Sequence, residues 1–354
     1  MAKKKVNRYS GIGGQAVLEG VMMKNKEKYA VAVRKPDGQI AVELENHQGL
    51  VHGSKIKELP FIRGVFNFVD SMILGTKALN YSASFYEDEN EDSAVEQAAE
   101  RASGGNGEKL LSILVTVFSI CLAIGIFVVF PYLVSAGLEK YIRNASLLAI
   151  IEGVIRIIVF LLYVVGISAM KDIRRLYQYH GAEHKCINCV EKGRPLTVHN
   201  VMRSSRLHKR CGTSFIFFVL LVSIVLFFFI RVDNVVEKVV LRILLMPVVA
   251  GISYELIRLA GRSDNLIIRI LSAPGMLIQR LTTKEPDEQM VEVAIAAVEA
   301  VFDWKAYLKE TFGYEVDDSW LDDTPRYDEE EDAEDDFGGN PEPGADAGTQ
   351  VVQS

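Results

Sequence analysis

Cysteine, histidine and tryptophan are scarce in this 354-residue chain, at four, six and two residues. Four cysteines are too few for the disulfide framework of a small secreted protein. The chain opens on Met1-Ala2-Lys3-Lys4-Lys5 with no apolar run behind it, so no signal peptide is expected. The glycines Gly11, Gly13 and Gly14 lack the Lys-Ser/Thr ending of a phosphate-binding loop, which leaves a tight turn as their reading. Internal repeats are missing too, which weighs against a standalone transporter.

What the chain has is apolar residues, 49% of the total, and a mean hydropathy of +0.16 despite 24% charged residues. The net charge of −7 is an average over unlike parts. Glu87–Glu100 holds seven acids and no base, and Glu315–Phe337 holds thirteen acids and one base. Without those segments, 26 acids face 38 bases. Acidic, aromatic-poor segments bury too little apolar area to offset chain entropy, so 83–108 and 313–354 read as a disordered linker and tail.

Leu110–Leu138 and Cys211–Ile230 contain no charged residue, and two less pure runs, Ala145–Met170 and Val239–Leu259, complete about four spans. The expected boundaries are about 110–136, 145–170, 212–231 and 239–260, within a membrane domain over 109–284. Glu152 and Arg156 lie four apart on one helix face and are able to pair. The loop 171–211 separates the second and third spans. Lys171–Thr213 carries ten bases and three acids, so by the distribution of Lys and Arg it faces the cytoplasm, as do both termini. The expected location is a bacterial plasma membrane.

Around this core the chain reads as a small N-terminal β domain (1–58), an amphipathic helix (59–82) and a short soluble helix (285–312). Tyr29–Arg34 and Gln39–Glu45 alternate like strands about the turn Pro36-Asp37-Gly38, and Ala16–Met23 is a further candidate strand. On 60–81, Arg63, Asn67, Asp70 and Lys77 form one stripe; the helix lies on the membrane surface or packs against the spans. Leu266–Leu281, interrupted by Pro274-Gly275, reads as interfacial or re-entrant. The fold class is thus mainly α: a polytopic membrane protein with a small β-sheet and amphipathic helices on its cytoplasmic side.

Chemistry concentrates in the loop. His180-Gly-Ala-Glu183-His184 has the H-x-x-E-H form, which stacks two imidazoles one helical turn apart to meet one metal ion, with Glu183 as general base for metal-bound water. Four of the six histidines (His180, His184, His199, His208) lie in this loop. Cys186-x2-Cys189 followed by His208-x2-Cys211 offers a competing structural zinc set. Thr213 or Ser214 is a candidate cap of the third span. Glu255, near the inner end of the last span, pairs with Arg258 or supplies a carboxylate ligand.

Gly13-Gly-Gln15-Ala-Val-Leu-Glu19-Gly20-Val-Met-Met23, Tyr179-His-Gly-Ala-Glu-His-Lys185, His208-x-Arg210-Cys211-Gly-Thr-Ser-Phe215 and Thr282-Thr-Lys-Glu-Pro286 resemble the YqhQ-like family of bacterial membrane proteins. That family is a domain of unknown function labelled a predicted metal-dependent enzyme. The resemblance covers roughly Gly11 to Phe302 and points to His180, Glu183, His184, His208, Arg210 and Cys211, and to Gln15, Glu19 and Gly20. Cys186, Cys189 and Lys209 depart from the family's pattern, which favours His180, His184, His208 and Cys211 as the ligand set. The expectation is a membrane-embedded metal-dependent enzyme, hydrolytic and using zinc. The alternative is a non-enzymatic scaffold or assembly factor with a structural metal or none. The lipid bilayer is the expected surrounding; no nucleic acid is expected, and a protein partner or substrate is unidentified.

Overall fold

The computed structural model describes residues 9–50, 59–86, 107–230, 232, 234–261, 265–313 and 315–316. The predicted acidic linker and tail fall almost wholly outside these residues.

Four antiparallel strands form a meander: β1 (Ile12–Val17), β2 (Gly20–Asn25), β3 (Lys28–Arg34) and β4 (Ile40–Asn46). Ala16–Met23 is therefore not one strand but the two arms of a hairpin. Its turn residues are Leu18 and Glu19, the latter at φ +50°. Gly13 and Gly14 lie within β1 rather than in a turn. The alternation of β2 and β3 sends Val21, Met23, Ala30 and Ala32 to one face and Met22, Tyr29, Val31 and Val33 to the other.

Both faces are covered. Leu74 and Ala78 of α1 (Ile62–Ala83) pack on the second. The first meets α5 (Lys171–Glu191) and α10 (Glu288–Val301), whose Met290, Val291, Val293, Ala294, Ala297 and Val298 are fully buried. The expected short soluble helix is thus the centre of the core. It stops at Val301, and α11 (Trp304–Phe312) follows.

The membrane part begins with α2 (Gly107–Ile124), which passes through a π-helical turn (Gly125–Val129) into α3 (Phe130–Leu138). It continues with α4 (Ala145–Ser168), α7 (Gly212–Phe228) and α8 (Val235–Ala260). Ile113–Leu138, Ala145–Ser168 and Val236–Ala260 are long and apolar enough to cross a membrane. The remaining expected span, α7, is apolar but has 17 residues, about 25 Å at 1.5 Å per residue. It stops at Phe228, short of the expected 231.

Three further expectations change. The loop 171–211 is mostly helix: α5 follows α4 after a two-residue break, and α6 (Val198–Met202) follows a turn. Pro274 does not interrupt α9 (Leu266–Thr282), which packs on α7 with Gly275 against Ser214. The cap of α7 is Cys211, whose Sγ accepts the Thr213 N–H at 3.4 Å. The amphipathic α1 bridges the two parts, touching the sheet with one end and α8 with the other.

Candidate metal centre

H-x-x-E-H lies on the second half of α5, which is buried on nearly every side from Gly181 to Ile187. The rings of His180 and His184 meet edge to face, with centroids 4.4 Å apart. Their Nδ1 atoms contact backbone carbonyls, His180 at Thr282 O (2.9 Å) and His184 at Arg206 O (2.6 Å). A carbonyl only accepts, so each Nδ1 carries a proton and Nε2 is the nitrogen left to face a metal ion. Metal-binding histidines are oriented in this way.

The third member is Cys211, with Sγ 3.1 Å from His180 Nε2. Ligand atoms of His180, His184 and Cys211 all lie within 4.8 Å of one another. Zinc bonds of about 2.0–2.3 Å call for ligands of this kind at comparable spacing. Burial alone would raise the Cys211 thiol, but the two imidazoles outweigh it and bring it well below its usual value. For His180, burial pulls down and Cys211 pulls up more strongly, to about 9. In the metal-free protein Cys211 and His180 are thus a thiolate and an imidazolium; when His180 gives up its Nε2 proton to an incoming ion, the donor set is a thiolate and two imidazoles, which fits a divalent metal.

Glu183 lies beside this set, 3.9 Å from His180 Nε2. Burial raises its carboxyl, while His184, His180 and the Gly14 N–H pull the other way. Gly14 makes the approach of β1 possible: a Cβ there would stand 2.3 Å from Met22 O and 3.3 Å from Glu183 Cγ. His180, His184, Cys211 and Glu183 line a pocket of about 400 Å³ shared with Gln15, Lys24, Lys26 and Arg210.

Residues that sequence reasoning missed hold these side chains in place. Lys185 Nζ donates to Met202 O and Ser204 O, and Asn188 Nδ2 to Ser205 O and Leu207 O, fixing the segment that presents Arg206 O. Gln279 clamps His208 by accepting its N–H and donating to its carbonyl. Gly181 lets the segment after α9 approach; a Cβ would lie 2.1 Å from Lys284 O.

The family model described as a protein of unknown function (DUF1385) matches residues 59–304. The chain belongs to the DUF1385 family. It is 37% identical over 298 residues to the uncharacterized protein YqhQ of Bacillus subtilis (strain 168), covering 83% of this chain and 92% of that one. No solved structure matches.

In this DUF1385 chain the other candidates have different surroundings. His208 is next to His184 (centroids 5.7 Å) but outside the three-ligand group; its Nε2 meets Glu191 at 3.6 Å and Arg210 at 3.3 Å. Arg210 also pairs with Glu191 and stacks over Tyr9. Gln15 lines the pocket and donates to Gly75 O. Glu19 pairs with Arg175 and accepts from Tyr179, away from the pocket lining. Cys186 and Cys189 are fully buried in the apolar core, where burial raises both thiols, Cys189 to about 12. They do not join His208 and Cys211. Glu255 joins Arg63 at 2.7 Å and the Phe61 N–H at 3.3 Å, with Arg258 at 3.9 Å, and is no part of the His–Cys group.

Proposed function

We propose that this chain is a metal-dependent, hydrolytic enzyme working at the cytoplasmic face of a bacterial plasma membrane. The observation that carries it is the junction of His180, His184 and Cys211 with the unligated carboxylate of Glu183 in one open pocket. A structural metal site has no use for a neighbouring base.

When bound, a divalent metal ion, zinc by its His–His–Cys ligands, supplies a Lewis acid and acidifies water. The residues do the rest. His180 and His184 present Nε2 because Thr282 and Arg206 hold their Nδ1 protons. Glu183, whose carboxyl is raised by burial, is placed to take a proton and return it to a leaving group. Lys24, Lys26 and Arg210 line the pocket and suit an anionic substrate, although Lys24 already pairs with Asp70 and Arg210 with Glu191. Cys211 caps α7, so substrate is met where the membrane domain begins. The excess of Lys and Arg around α5 and the 203–210 segment supports a cytoplasmic orientation, with both termini on that side.

The test is elemental analysis of full-length protein purified in detergent without chelators, followed by an ester, phosphodiester and peptide hydrolysis screen. About one metal per chain is expected, lost in His184→Ala and kept in Glu183→Gln and Cys186→Ala. Glu183→Gln should be metal-loaded and inactive. Metal that is absent, or unaffected by His184→Ala, would overturn the assignment.

A further inference from the structure

Glu152 on α4 is the hub of a charge cluster at the opposite end of the membrane domain from the His180 centre. Its Oε1 accepts from Arg156 Nη2 and its Oε2 from Arg242 Nη2, each at 2.7 Å. All three side chains are buried, with 5, 3 and 3% of their residues exposed. One carboxylate thus faces two guanidiniums, which do not deprotonate in proteins. The trio has a net positive charge in a medium where an uncompensated charge is costly.

The two arginines differ. Arg156 Nε donates to Phe127 O at 3.0 Å, within the π-helical turn, and its Nη1 to Ser223 Oγ at 3.4 Å. Arg242 Nε and Nη1 are buried and meet no hydrogen-bond acceptor among the described residues. The guanidinium lies against the rings of Tyr132 and Phe227, 5.0 and 5.2 Å from their centroids. Aromatic rings accommodate a cation without neutralising it.

Glu152 and Arg242 each stand seven residues inside their helices, about 10 Å from the end. That depth and burial exclude a lipid headgroup. One turn nearer the surface, Lys238 Nζ lies 5.3 Å over the Tyr132 ring, so a basic track leads inward along α8. We propose that Arg242, through Nε–H and Nη1–H, binds a small monovalent inorganic anion of halide or nitrate size inside the membrane domain. The anion neutralises the cluster and supplies the acceptors that Arg242 needs. The site is separate from the pocket and stands or falls without it.

The probe is thermal unfolding of full-length protein in detergent, titrated with chloride, bromide or nitrate against gluconate at constant ionic strength. Gluconate serves as the bulky control anion. The wild type should show a saturable rise in Tm with the small anions and none with gluconate. Arg242→Met should lose that rise, whatever its baseline. Glu152→Gln removes the competing negative charge and should move the titration to lower anion concentration. Coincident curves for the wild type in all salts, a rise that survives in Arg242→Met, or an unshifted titration in Glu152→Gln would each overturn the assignment. If Arg242→Met does not fold, the other two proteins decide it.

Discussion

His180 Nε2 and Cys211 Sγ lie 3.1 Å apart, although the first sits on α5 and the second caps the start of α7. The contact makes Cys211 the thiolate partner of an imidazolium, and it separates this cysteine from the others. Cys186 and Cys189 are buried in the apolar core with raised thiols. In metal-stripped protein, iodoacetamide should modify Cys211 at neutral pH well before Cys186 or Cys189, because the thiolate is the nucleophile. Zinc should suppress the reaction at Cys211 alone and leave the exposed Cys121 as an internal control. Adduct mapping by mass spectrometry reads the order; earlier modification of Cys186 or Cys189 would refute it.

Gly14 and Glu183 form a second relationship on which the site depends. A methyl group at position 14 collides with Met22 O, which is backbone and does not yield cheaply. Gly14→Ala should cost about 1–3 kcal/mol through overpacking. It should shift β1 away from Glu183 and remove the N–H that holds the carboxylate. Metal content should persist, since no ligand comes from β1. Parallel metal analysis and unfolding measurements check this; metal loss equal to that of His184→Ala would mean that β1 shapes the ligands themselves.

Much of this site was legible because it is local. The spacing of His180, Glu183 and His184 requires only that the segment be helical. Helical geometry also separates Cys186 from the pair: it stands two residues, about 200°, around the helix from His184. The rest rests on long-range chain paths. Nothing near His180 announces that Thr282 O will hold its ring, or near His184 that Lys185 and Asn188 will present Arg206 O. The same holds for the fold. Alternation located β3 and β4, yet the Leu18-Glu19 turn escaped because Glu19 adopts a positive φ usually left to glycine or asparagine. The tolerance of α9 for Pro274 follows from its packing on α7, which a proline rule does not contain.

Arg63 and Glu255 tie α1 to α8. Arg258, the partner that sequence spacing offered, is the more distant one. Glu255→Gln should leave the metal content at its wild-type value and weaken the docking of α1. Arg63→Met should do the same and leave the partly buried carboxylate only the Phe61 N–H and the more distant Arg258, so it should destabilise more, by about 2 kcal/mol. Elemental analysis and unfolding in the same preparation check both variants. A fall in bound metal in Glu255→Gln would restore Glu255 as a ligand.

Glu191 sets the acid limit of the site. Burial pushes its carboxyl up, but His208, Arg210 and the Ser10 N–H outweigh burial and hold it at about 2, against 4.5 for a free glutamate. A depressed carboxylate stabilises the fold above its unfolded value, and the contribution disappears as pH falls from 4.5 toward 2. Its size is on the order of 3 kcal/mol. His208 acts in the same direction at higher pH. Burial, with Arg210 and His184 beside it, lowers its imidazole below 6.5, so its protonation on acidification favours unfolding. Metal-free protein should therefore lose stability in two stages, first below about pH 6.5 and again below about pH 4.5. Glu191→Gln should flatten the lower stage and keep the upper one, since it removes the carboxylate but not the buried imidazole. Unfolding midpoints measured from pH 7 to pH 3 decide the matter. A wild-type profile with no loss below pH 4.5, or one that Glu191→Gln leaves unchanged, would show that Glu191 does not carry this charge in the folded protein.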